Sequence, residues 1–401
     1  MSRVVFLVDM NAFFISCEMS RKPEISGKPA AVAGDPKNRS GIILAANYEA
    51  RKFGVKTTMV IHQALKLCPG MVLVPPDHHY YEEKSKEVMS LLGNYSPIVE
   101  QNSIDEAWLD MTGTEELFGS PVEAARRIMT DINEGLGLWC SIGISENKLL
   151  AKIASELKKP MGITELWLKD IKQKLWPLKV TDMYGVGRQT GLKLNNLGIV
   201  TIGDLAGYEP KALTRLLGKM GAELHASANG QDYSPVTPRS TGEMKSIGRS
   251  TTLSEDVTDV EAIRNIFYEL CEEVGFDARK HNKKAGTVQI TIKYSDFQSI
   301  TRQTGIEPTF LTREIFEKGF SLLSHNWNSF RPVRLIGISI TGFEREGHSR
   351  QLSLFEEDNL QNQTEKEEKL EKAIDDIRTR HGLTSITRAA QIKDKNKYNK
   401  S

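Results

Sequence analysis

Ser103-Ile104-Asp105-Glu106-Ala107-Trp108-Leu109-Asp110-Met111 is a largely apolar run that carries two adjacent acids near its start. A second apolar run, Val4 to Val8, leads directly into Asp9. Continuous apolar runs of this length are typical of strands that are buried on both faces. Because burying an unpaired carboxylate is costly, we expect the three acids of these two strands to share a partner.

A divalent cation is one such partner. Asp9, Asp105 and Glu106 offer the hard oxygen ligands that Mg²⁺ prefers in proteins. Two such ions about 3.5–4 Å apart would activate a primer hydroxyl and stabilise a leaving pyrophosphate. The alternative is that the acids form ion pairs with Lys or Arg, and spacing alone leaves both possibilities open.

Three further residues could bind a polyphosphate. Tyr48 and Arg51 lie in the segment Asn47-Tyr48-Glu49-Ala50-Arg51-Lys52, and Lys159 precedes Pro160. Arg forms bidentate contacts with phosphate, Tyr donates through its hydroxyl, and Lys acts as a point charge. Any one of them could equally be an ordinary surface residue.

The aromatic pair Phe13-Phe14 follows Asp9 closely, and we expect it to continue the strand, with at least one ring in the core. The pair His78-His79 has no second ligand pair at a recognisable spacing. We therefore expect these histidines to lie in a loop and to bind no metal.

The pattern changes along the chain. Residues 1–165 alternate strand-like and helical stretches, including a third apolar run from Leu138 to Ile144, and predict an α/β or α+β sheet domain. Residues 166–230 look helical, with glycine turns at Tyr184–Arg188 and Leu217–Gly221. Such turns let a backbone approach a phosphate closely, although an ordinary helical hairpin has the same pattern.

Residues 231–244 are rich in Pro, Ser and Thr and predict a linker. The next hundred residues predict the order strand–helix–strand–strand–helix–strand, a ferredoxin-like arrangement. One of its strands, Gly286 to Tyr294, alternates apolar and polar residues, which predicts one buried and one wet face.

After residue 346 the chain is polar. It predicts one short helix at 364–381, with a capping box at Thr364 and Glu367 and a C-cap at Gly382. Its narrow apolar stripe consists of Leu370, Ala373, Ile374 and Ile377. We expect the basic end of the chain to be disordered.

Composition sets wider limits. A length of 401 residues predicts two to four domains, and no apolar run approaches the roughly 18 residues of a membrane span. The net charge of +1 requires any basic surface to be local. The four cysteines form no CxxC, which argues against a zinc ribbon or disulfide scaffold and favours a reducing cytoplasm.

The chain resembles a Y-family translesion DNA polymerase over about residues 3–355. The highly specific segments are SIDEAWLDM (103–111) and ANYEARKFGVKTTM (46–59). Further matches are FLVDMNAFF (6–14), GISENKLLAKIASELKKPMGI (143–163), GVG (185–187) and KSIGRSTTL (245–253).

The resemblance implies an α+β multidomain fold like a right hand. It would have a ferredoxin-like palm, small fingers, a helical thumb with helix-hairpin-helix turns, and an α/β little finger. The implied bounds are palm 1–20 and 77–165, fingers 21–76, thumb 166–230, linker 231–244, little finger 245–345, and a flexible tail 346–401.

The resemblance also implies roles for site residues. Asp9, Asp105 and Glu106 would be catalytic and would bind two Mg²⁺ ions, with the Met10 carbonyl as a backbone ligand. The nucleotide-binding residues would be Phe13, Phe14, Tyr48, Arg51 and Lys159. Phe14 would be the steric gate that rejects a 2′-hydroxyl, whereas Phe13 would pack inward.

The expected DNA-binding residues are Gly185, Gly187, Lys283, Lys284 and Lys293. The last three belong to a polar strand face and to the basic cluster Arg279–Lys284, which we expect to contact DNA backbone without reading sequence. The peptide Gln351-Leu352-Ser353-Leu354-Phe355 is similar to the one by which bacterial polymerases bind the sliding clamp (the β subunit). Its Gln351, Leu352, Leu354 and Phe355 would make the contacts, unless it is a stray apolar patch.

Two positions depart from the family pattern. Ala45 stands where many relatives have Ser or Thr, which removes one hydroxyl donor to the triphosphate. Ile42 stands where some relatives have a smaller residue above the nascent base pair, which would narrow the range of bulky lesions accepted.

The sequence therefore predicts a low-fidelity, template-directed DNA polymerase that uses primer-template DNA and deoxynucleoside triphosphates. We expect it to be monomeric and cytoplasmic, without membrane contact and without a proofreading exonuclease. A non-catalytic DNA-binding scaffold held at the clamp is the alternative, but a scaffold would not need to keep Asp9, Asp105, Glu106, Arg51 and Lys159. A nucleotidyl cyclase with a similar palm would not explain the glycine turns, the C-terminal α/β unit or the clamp peptide.

Overall fold

The computed structural model describes residues 3–35, 41–238, 244–344, 358–382 and 385–386. The described residues up to 238 form one compact unit, and those from 244 onward form a second. The strands of the first unit are β1 (Val5–Met10), β2 (Ala30–Ala33), β3 (Ile43–Ala46), β4 (Val72–Val74), β5 (Val99–Gln101), β6 (Glu106–Asp110), β7 (Cys140–Ser145) and β8 (Ile163–Glu165).

The helices of the first unit lie between and after these strands. They are α1 (Phe13–Arg21), α2 (Tyr48–Lys52), α3 (Ile61–Leu67), α4 (His78–Leu92), α5 (Glu115–Phe118), α6 (Pro121–Leu136), α7 (Lys148–Leu157), α8 (Ile171–Lys174), α9 (Arg188–Asn195), α10 (Ile202–Gly207), α11 (Pro210–Leu217) and α12 (Lys219–Ala228).

The central sheet of the first unit has the order β5-β6-β1-β7-β8, so the predicted acid-bearing strands are neighbours. Strand β1 is buried along its whole length, as its continuous apolar sequence predicts. It pairs antiparallel with β6 and β7, and the register places Asp9 opposite Glu106. Asp105 lies just before β6 rather than inside the strand, although its carbonyl still accepts a hydrogen bond from the Met10 N–H (2.9 Å).

Helix α7 lies unusually close to this sheet. A Cβ added to Gly143 of β7 would approach the Ala151 carbonyl oxygen to 1.9 Å, so only glycine permits this packing. The helix is capped by Asn147, whose side-chain oxygen accepts from the Leu150 N–H (2.9 Å). The close approach carries the polar face of α7 toward the end of β1.

A smaller three-stranded sheet, in the order β3-β2-β4, packs with α2 and α3 around its own apolar core. Residues 166–230 are helical, as predicted. Gly185 has φ +89°, and Gly187 caps α9; Gly218 has φ +65° and precedes α12. Both glycine segments are therefore tight turns that lead into helices.

The second unit has the predicted order of elements: β9 (Ser246–Val257), α13 (Val260–Lys280), β10 (Ala285–Tyr294), β11 (Ser299–Thr309), α14 (Thr312–Asn326) and β12 (Val333–Phe343). The sheet order is β11-β10-β12-β9, so the last strand lies between the first and second. The apolar residues of β10 are buried and its polar residues are partly exposed, which confirms the predicted alternation.

A final helix, α15 (Asp358–His381), is longer than predicted and begins six residues before Thr364, because a capping-box pattern is a local signal that a longer helix overrides. Gly382 follows it with φ +93°, as expected for a C-cap. The predicted apolar stripe does not pack inward: Leu370 is 59% exposed and Ile377 38%.

A different, charged face of α15 contacts the rest of the second unit instead. The Arg279 side chain, 3% exposed, forms ion pairs with Glu371 (3.2 Å) and Asp375 (2.5 Å). A buried guanidinium requires carboxylate partners, and this requirement decides which face of the helix docks. Charge pairing, and not apolar area, therefore orients α15.

Two further observations concern the described residues. Among them, no helix is both long enough and apolar enough to cross a membrane. The four cysteines are all buried and free.

Candidate active site

The carboxylates of Asp9 and Glu106 meet at the end of the central sheet, because their backbones are paired across β1 and β6. Lys152 lies between them: its Nζ is 3.1 Å from Asp9 Oδ2 and 2.5 Å from Glu106 Oε2. Burial alone would lower the pKa of Lys152, but the two carboxylates outweigh burial and raise it. The lysine is therefore positively charged at neutral pH.

Asp105 stands beside this cluster. Its Oδ1 accepts a hydrogen bond from the Ser103 hydroxyl (2.5 Å). Burial raises the pKa of the Asp105 carboxyl, and the nearby charges of Asp9 and Glu106 raise it further. This mutual repulsion indicates that the three predicted acids form one electrostatic cluster.

Lys159 binds the other oxygen of Asp9. Its Nζ is 2.8 Å from Asp9 Oδ1 and 2.9 Å from Glu156 Oε1. Burial lowers the pKa of Lys159, but Asp9 and Glu156 more than compensate, so the net direction is upward. Asp9 thus binds one lysine with each of its oxygens.

A buried amide–hydroxyl pair positions the turn that carries Lys159. Asn11 Oδ1 accepts from the Met161 N–H (2.8 Å), and its Nδ2 donates to Ser141 Oγ (3.0 Å). Ser141 Oγ also accepts from the Gly162 N–H (3.3 Å). The end of β1 is therefore tied directly to the residues that follow Lys159.

The carboxylate oxygens of Asp9, Asp105 and Glu106 suit Mg²⁺, because Mg²⁺ prefers hard, negatively charged oxygen ligands. Within the described part of the chain, no three His, Cys, Asp or Glu side chains are already arranged as a metal cage. The ion-pair alternative is the arrangement seen here, because lysines neutralise the acids. The metal hypothesis stays a prediction, and a cation at this position would have to displace Lys152.

Two of the three predicted phosphate-binding residues, Tyr48 and Arg51, lie in α2. Within the described residues, the buried Tyr48 hydroxyl has no hydrogen-bond partner. The Arg51 guanidinium carbon lies 4.9 Å from the centre of the Tyr48 ring, and its Nε donates to the Ala46 carbonyl (2.9 Å). An orphaned buried hydroxyl beside a guanidinium fits a missing anionic ligand. Burial raises the pKa of the Tyr48 hydroxyl, against the opposing charges of Arg51 and Lys159.

The prediction that Phe13 and Phe14 continue a strand is wrong: both begin helix α1. Ala12 adopts left-handed backbone angles (φ 48°) and ends the extended conformation of β1. Phe13 is buried in the core, and Phe14 is half-buried beside it. Two successive residues of a helix point about 100° apart, which separates the two rings.

The histidine pair is also misplaced by the sequence prediction. His78 and His79 begin helix α4 instead of a loop, because the Asp77 side chain caps it by accepting from the Tyr80 N–H (3.2 Å). The His78 ring lies edge-on to Phe14, with 5.7 Å between ring centres. Asp77 was a sequence signal that could have identified this helix start.

The predicted DNA-binding residues have different environments. Gly185 and Gly187 lie in the turn before α9, and Lys283 and Lys293 are partly exposed. Lys284 forms an ion pair with Glu368 of α15 (2.7 Å). The prediction that Arg279 contacts DNA is contradicted, since its guanidinium is buried against α15.

The predicted clamp peptide, with Gln351, Leu352, Leu354 and Phe355, lies outside the described residues. Of the two family departures, Ala45 is buried in β3 and Ile42 forms an isolated bridge with Val60. Sequence reasoning missed Lys152 and Asn11 as site residues. Lys152 lies four residues beyond Lys148 in the helical segment that follows β7, but no local pattern indicates that its side chain contacts Asp9.

Known proteins match this chain along nearly its whole length. The model of the impB/mucB/samB family matches residues 8–156, that of its C-terminal domain matches 244–354, and that of the IMS family HHH motif matches 169–199. DNA polymerase IV of Clostridium kluyveri is 59% identical over 98% of this chain and 99% of its own length. DNA polymerase IV 1 of Bacillus subtilis is 40% identical over 98% and 94%, respectively.

A solved structure has the same fold. A Y-family DNA polymerase chimera aligns with a TM-score of 0.75 at 28% identity, over 85% of this chain and 99% of its own. This match and the helix-hairpin-helix match confirm the predicted α+β polymerase fold. The chain therefore belongs to the impB/mucB/samB family of Y-family DNA polymerases, together with the bacterial DNA polymerase IV proteins.

Proposed function

We propose that this chain is a template-directed DNA polymerase that extends primers past damaged template bases, and that Asp9, Asp105 and Glu106 are its catalytic metal ligands. The observation that carries the proposal is the convergence of these three acids at the paired ends of β1 and β6. Two Mg²⁺ ions, when bound, supply activation of the primer hydroxyl and stabilisation of the leaving pyrophosphate.

The residues of the chain have distinct tasks in this reaction. Asp9 and Glu106 would release Lys152 in order to act as metal ligands. The Met10 carbonyl would be a further metal ligand, from the backbone. Tyr48, Arg51 and Lys159 bind the triphosphate, the tyrosine through a hydroxyl that has no partner among the described residues. Guanidinium and ammonium groups there also neutralise charge that develops on the leaving group.

We assign Phe14 as the steric gate under the sugar and Phe13 as its buried neighbour. The support is their difference in burial: Phe13 is 3% exposed, whereas Phe14 is only partly buried. The palm, fingers, thumb and little finger follow the bounds given above. The small sheet has an apolar core of its own, which supports the fingers. The helices of 166–230 share one apolar core with residues of α7, which supports a thumb packed against that helix.

For duplex DNA, we propose contacts with the turn at Gly185 and Gly187 and with the open face of the second unit. Register places Gln289, Gln303 and Ser339 on that face together with Lys293. Amides, hydroxyls and a lysine bind phosphates without reading bases. Lys283 and Lys284 lie beside the start of β10.

We further propose that the Gln351–Phe355 peptide binds a sliding clamp, that the protein acts as a monomer and that it is cytoplasmic. Apolar side chains in a short extended peptide suit a groove on a partner. The alternative of a non-catalytic scaffold is not supported, because the matching relatives are named polymerases along the whole chain.

Primer extension on a primed template with Mg²⁺ and all four deoxynucleotides tests the proposal. Glu106→Ala should slow nucleotide addition on the order of 10³-fold or more while retaining DNA binding. Asp110→Asn is the matched control, since Asp110 lies at the far end of the same strand and binds Thr112. Near-normal extension by Glu106→Ala would refute the assignment of the metal ligands.

A further inference from the structure

Glu18 is a charged residue that neither the metal chemistry nor the phosphate chemistry uses. Its side chain is 0% exposed and binds Arg21 (2.6 Å) and Lys22 (3.1 Å). Both basic partners are themselves partly exposed, so they bring charge to the carboxylate from the surface. Burying a carboxylate costs free energy even when the carboxylate is paired. The position of Glu18 in α1 therefore needs an explanation.

The inner side of Glu18 binds a tyrosine. The Tyr81 hydroxyl donates to Glu18 Oε1 (2.8 Å), and its ring is completely buried. The same ring stacks on Phe14, with 4.5 Å between ring centres and 15° between planes. Because Phe14 and Glu18 are four residues apart on α1, they lie on the same helix face and contact Tyr81 from its ring and its hydroxyl.

The two helices are also tied together at this point. Arg21 donates to Asp77 (2.9 Å), the residue that caps α4, and so it bridges the ends of both helices. His78, the first residue of α4, lies edge-on to Phe14 and edge-on to Tyr81. Tyr81 therefore covers one face of the Phe14 ring, and His78 packs against the ring edge-on, so both contacts restrict how the ring can tilt.

We infer that Glu18 and Tyr81 are positioning residues for sugar selection: they fix the plane of Phe14 so that it cannot yield to a 2′-hydroxyl. This inference rests on the proposed role of Phe14 as the steric gate. Steric rejection of the 2′-hydroxyl depends on how rigidly the Phe14 ring is held. The geometry of a functional site has to be held within about 0.5 Å. The hydroxyl bond at one end of Tyr81 and the stack on its face provide that rigidity.

The test is the ratio of kcat/KM for a deoxynucleotide to kcat/KM for the matching ribonucleotide. Tyr81→Phe removes only the hydroxyl and keeps the stack; we expect the ratio to fall about tenfold, while deoxynucleotide incorporation changes less than about threefold. Glu18→Met should lower the ratio similarly. Glu18→Gln keeps an oxygen that can accept from Tyr81 and should restore most of the discrimination.

Tyr95→Phe is the matched control. Tyr95 is another buried tyrosine of the same core, and its hydroxyl donates to Asp131 instead. It should leave the ratio at the wild-type value. Equal losses for both sugars in Tyr81→Phe would indicate a merely structural effect and would overturn the inference.

The Phe14→Ala variant distinguishes failure of this inference from failure of the steric-gate assignment on which it rests. If Phe14→Ala leaves sugar discrimination unchanged, the gate assignment itself is wrong. If Phe14→Ala abolishes discrimination while Tyr81→Phe and Glu18→Met behave like wild type, only the positioning role is refuted. Should Glu18→Met fail to fold, Tyr81→Phe decides alone, because it removes one atom from a ring that keeps its packing.

Discussion

Asp9 and Glu106 face each other across the β1–β6 ladder, and a single ammonium group, that of Lys152, binds both carboxylates. The lysine thus occupies the space between two proposed metal ligands and neutralises part of their charge. It is an internal counter-ion that an arriving cation has to replace.

Lys152→Met should therefore make the protein less stable without Mg²⁺ and more responsive to it. Without the ammonium group the carboxylates repel each other, which we expect to cost about 1–3 kcal/mol of unfolding free energy. Added Mg²⁺ should recover more stability in the variant than in wild type. Denaturant unfolding with and without Mg²⁺ measures both effects, and an identical Mg²⁺ response in the two proteins would contradict the prediction.

Asn11→Ala should weaken triphosphate binding through Lys159. The change removes the acceptor of the Met161 N–H and leaves the turn after Lys159 free to shift. We expect KM for the nucleotide to rise about tenfold or more, since a misplacement of about 1 Å can cost 10²-fold, with a smaller change in kcat. Asn11→Asp keeps an acceptor at this position and should retain near-normal KM; equal damage from both variants would count against a positioning role.

Glu18→Gln should change how stability depends on pH. Burial raises the pKa of Glu18, but its bonds to Arg21, Tyr81 and Lys22 outweigh burial and hold it below the ordinary value of 4.5. A lowered folded-state pKa adds stability above the unfolded-state value, and that stability is lost as pH falls through the folded-state value. Glu18→Gln should thus be less stable than wild type near neutral pH, by about 1–3 kcal/mol.

The same variant should approach wild type at low pH. Once Glu18 is protonated in both folded and unfolded protein, the charge no longer distinguishes it from glutamine. Unfolding midpoints measured from neutral pH down to below the ordinary Glu18 value of 4.5 should show the difference narrow as pH falls. A gap that stays constant over this range would show that the charge of Glu18 contributes nothing.

Arg279→Met should release helix α15. Its guanidinium binds Glu371 and Asp375 and also donates to the Phe310 carbonyl (3.0 Å). Removing it leaves two carboxylates without their buried partner, and we expect α15 amides to exchange hydrogen at least about tenfold faster. Arg264→Met, on the exposed face of the same helix α13, is the control and should leave exchange in α15 unchanged.

Leu354→Ala with Phe355→Ala should abolish stimulation by a sliding clamp and leave clamp-free synthesis unchanged. A clamp makes rebinding to DNA effectively intramolecular, which can raise avidity by about 10²–10⁴. Product length on a long primed template, with and without loaded clamp, measures the effect. Leu370→Ala with Ile377→Ala alters the exposed stripe of α15 instead, and loss of stimulation only in this second variant would move the clamp contact to the helix.

The strands of the central sheet were predictable because burial on both faces leaves a continuous apolar run, as in Val4 to Val8. The three acids were predictable because they interrupt such runs. The contact of Lys152 with Asp9 was not, since the two residues are 143 positions apart and depend on the close approach at Gly143. Nothing in the local pattern of a helix records how near it lies to a sheet.

The errors have equally specific causes. Phe13 and Phe14 have aromatic side chains typical of strands, but Ala12 turns the chain into a helix before them. The apolar stripe of α15 suggested its buried face, and the distant Arg279 reversed the outcome. In both cases a single residue outside the local pattern decided the structure.

Lys159 cannot bind Asp9 Oδ1 and a triphosphate at the same time with the contacts it makes here. Under the proposed role of Lys159, its release from Asp9 would require another positive charge at that oxygen, which a cation bound to the nucleotide would supply. Binding of the nucleotide and loading of the metal site would then be coupled. A free anion without an accompanying cation would meet a lysine that is already paired with Asp9.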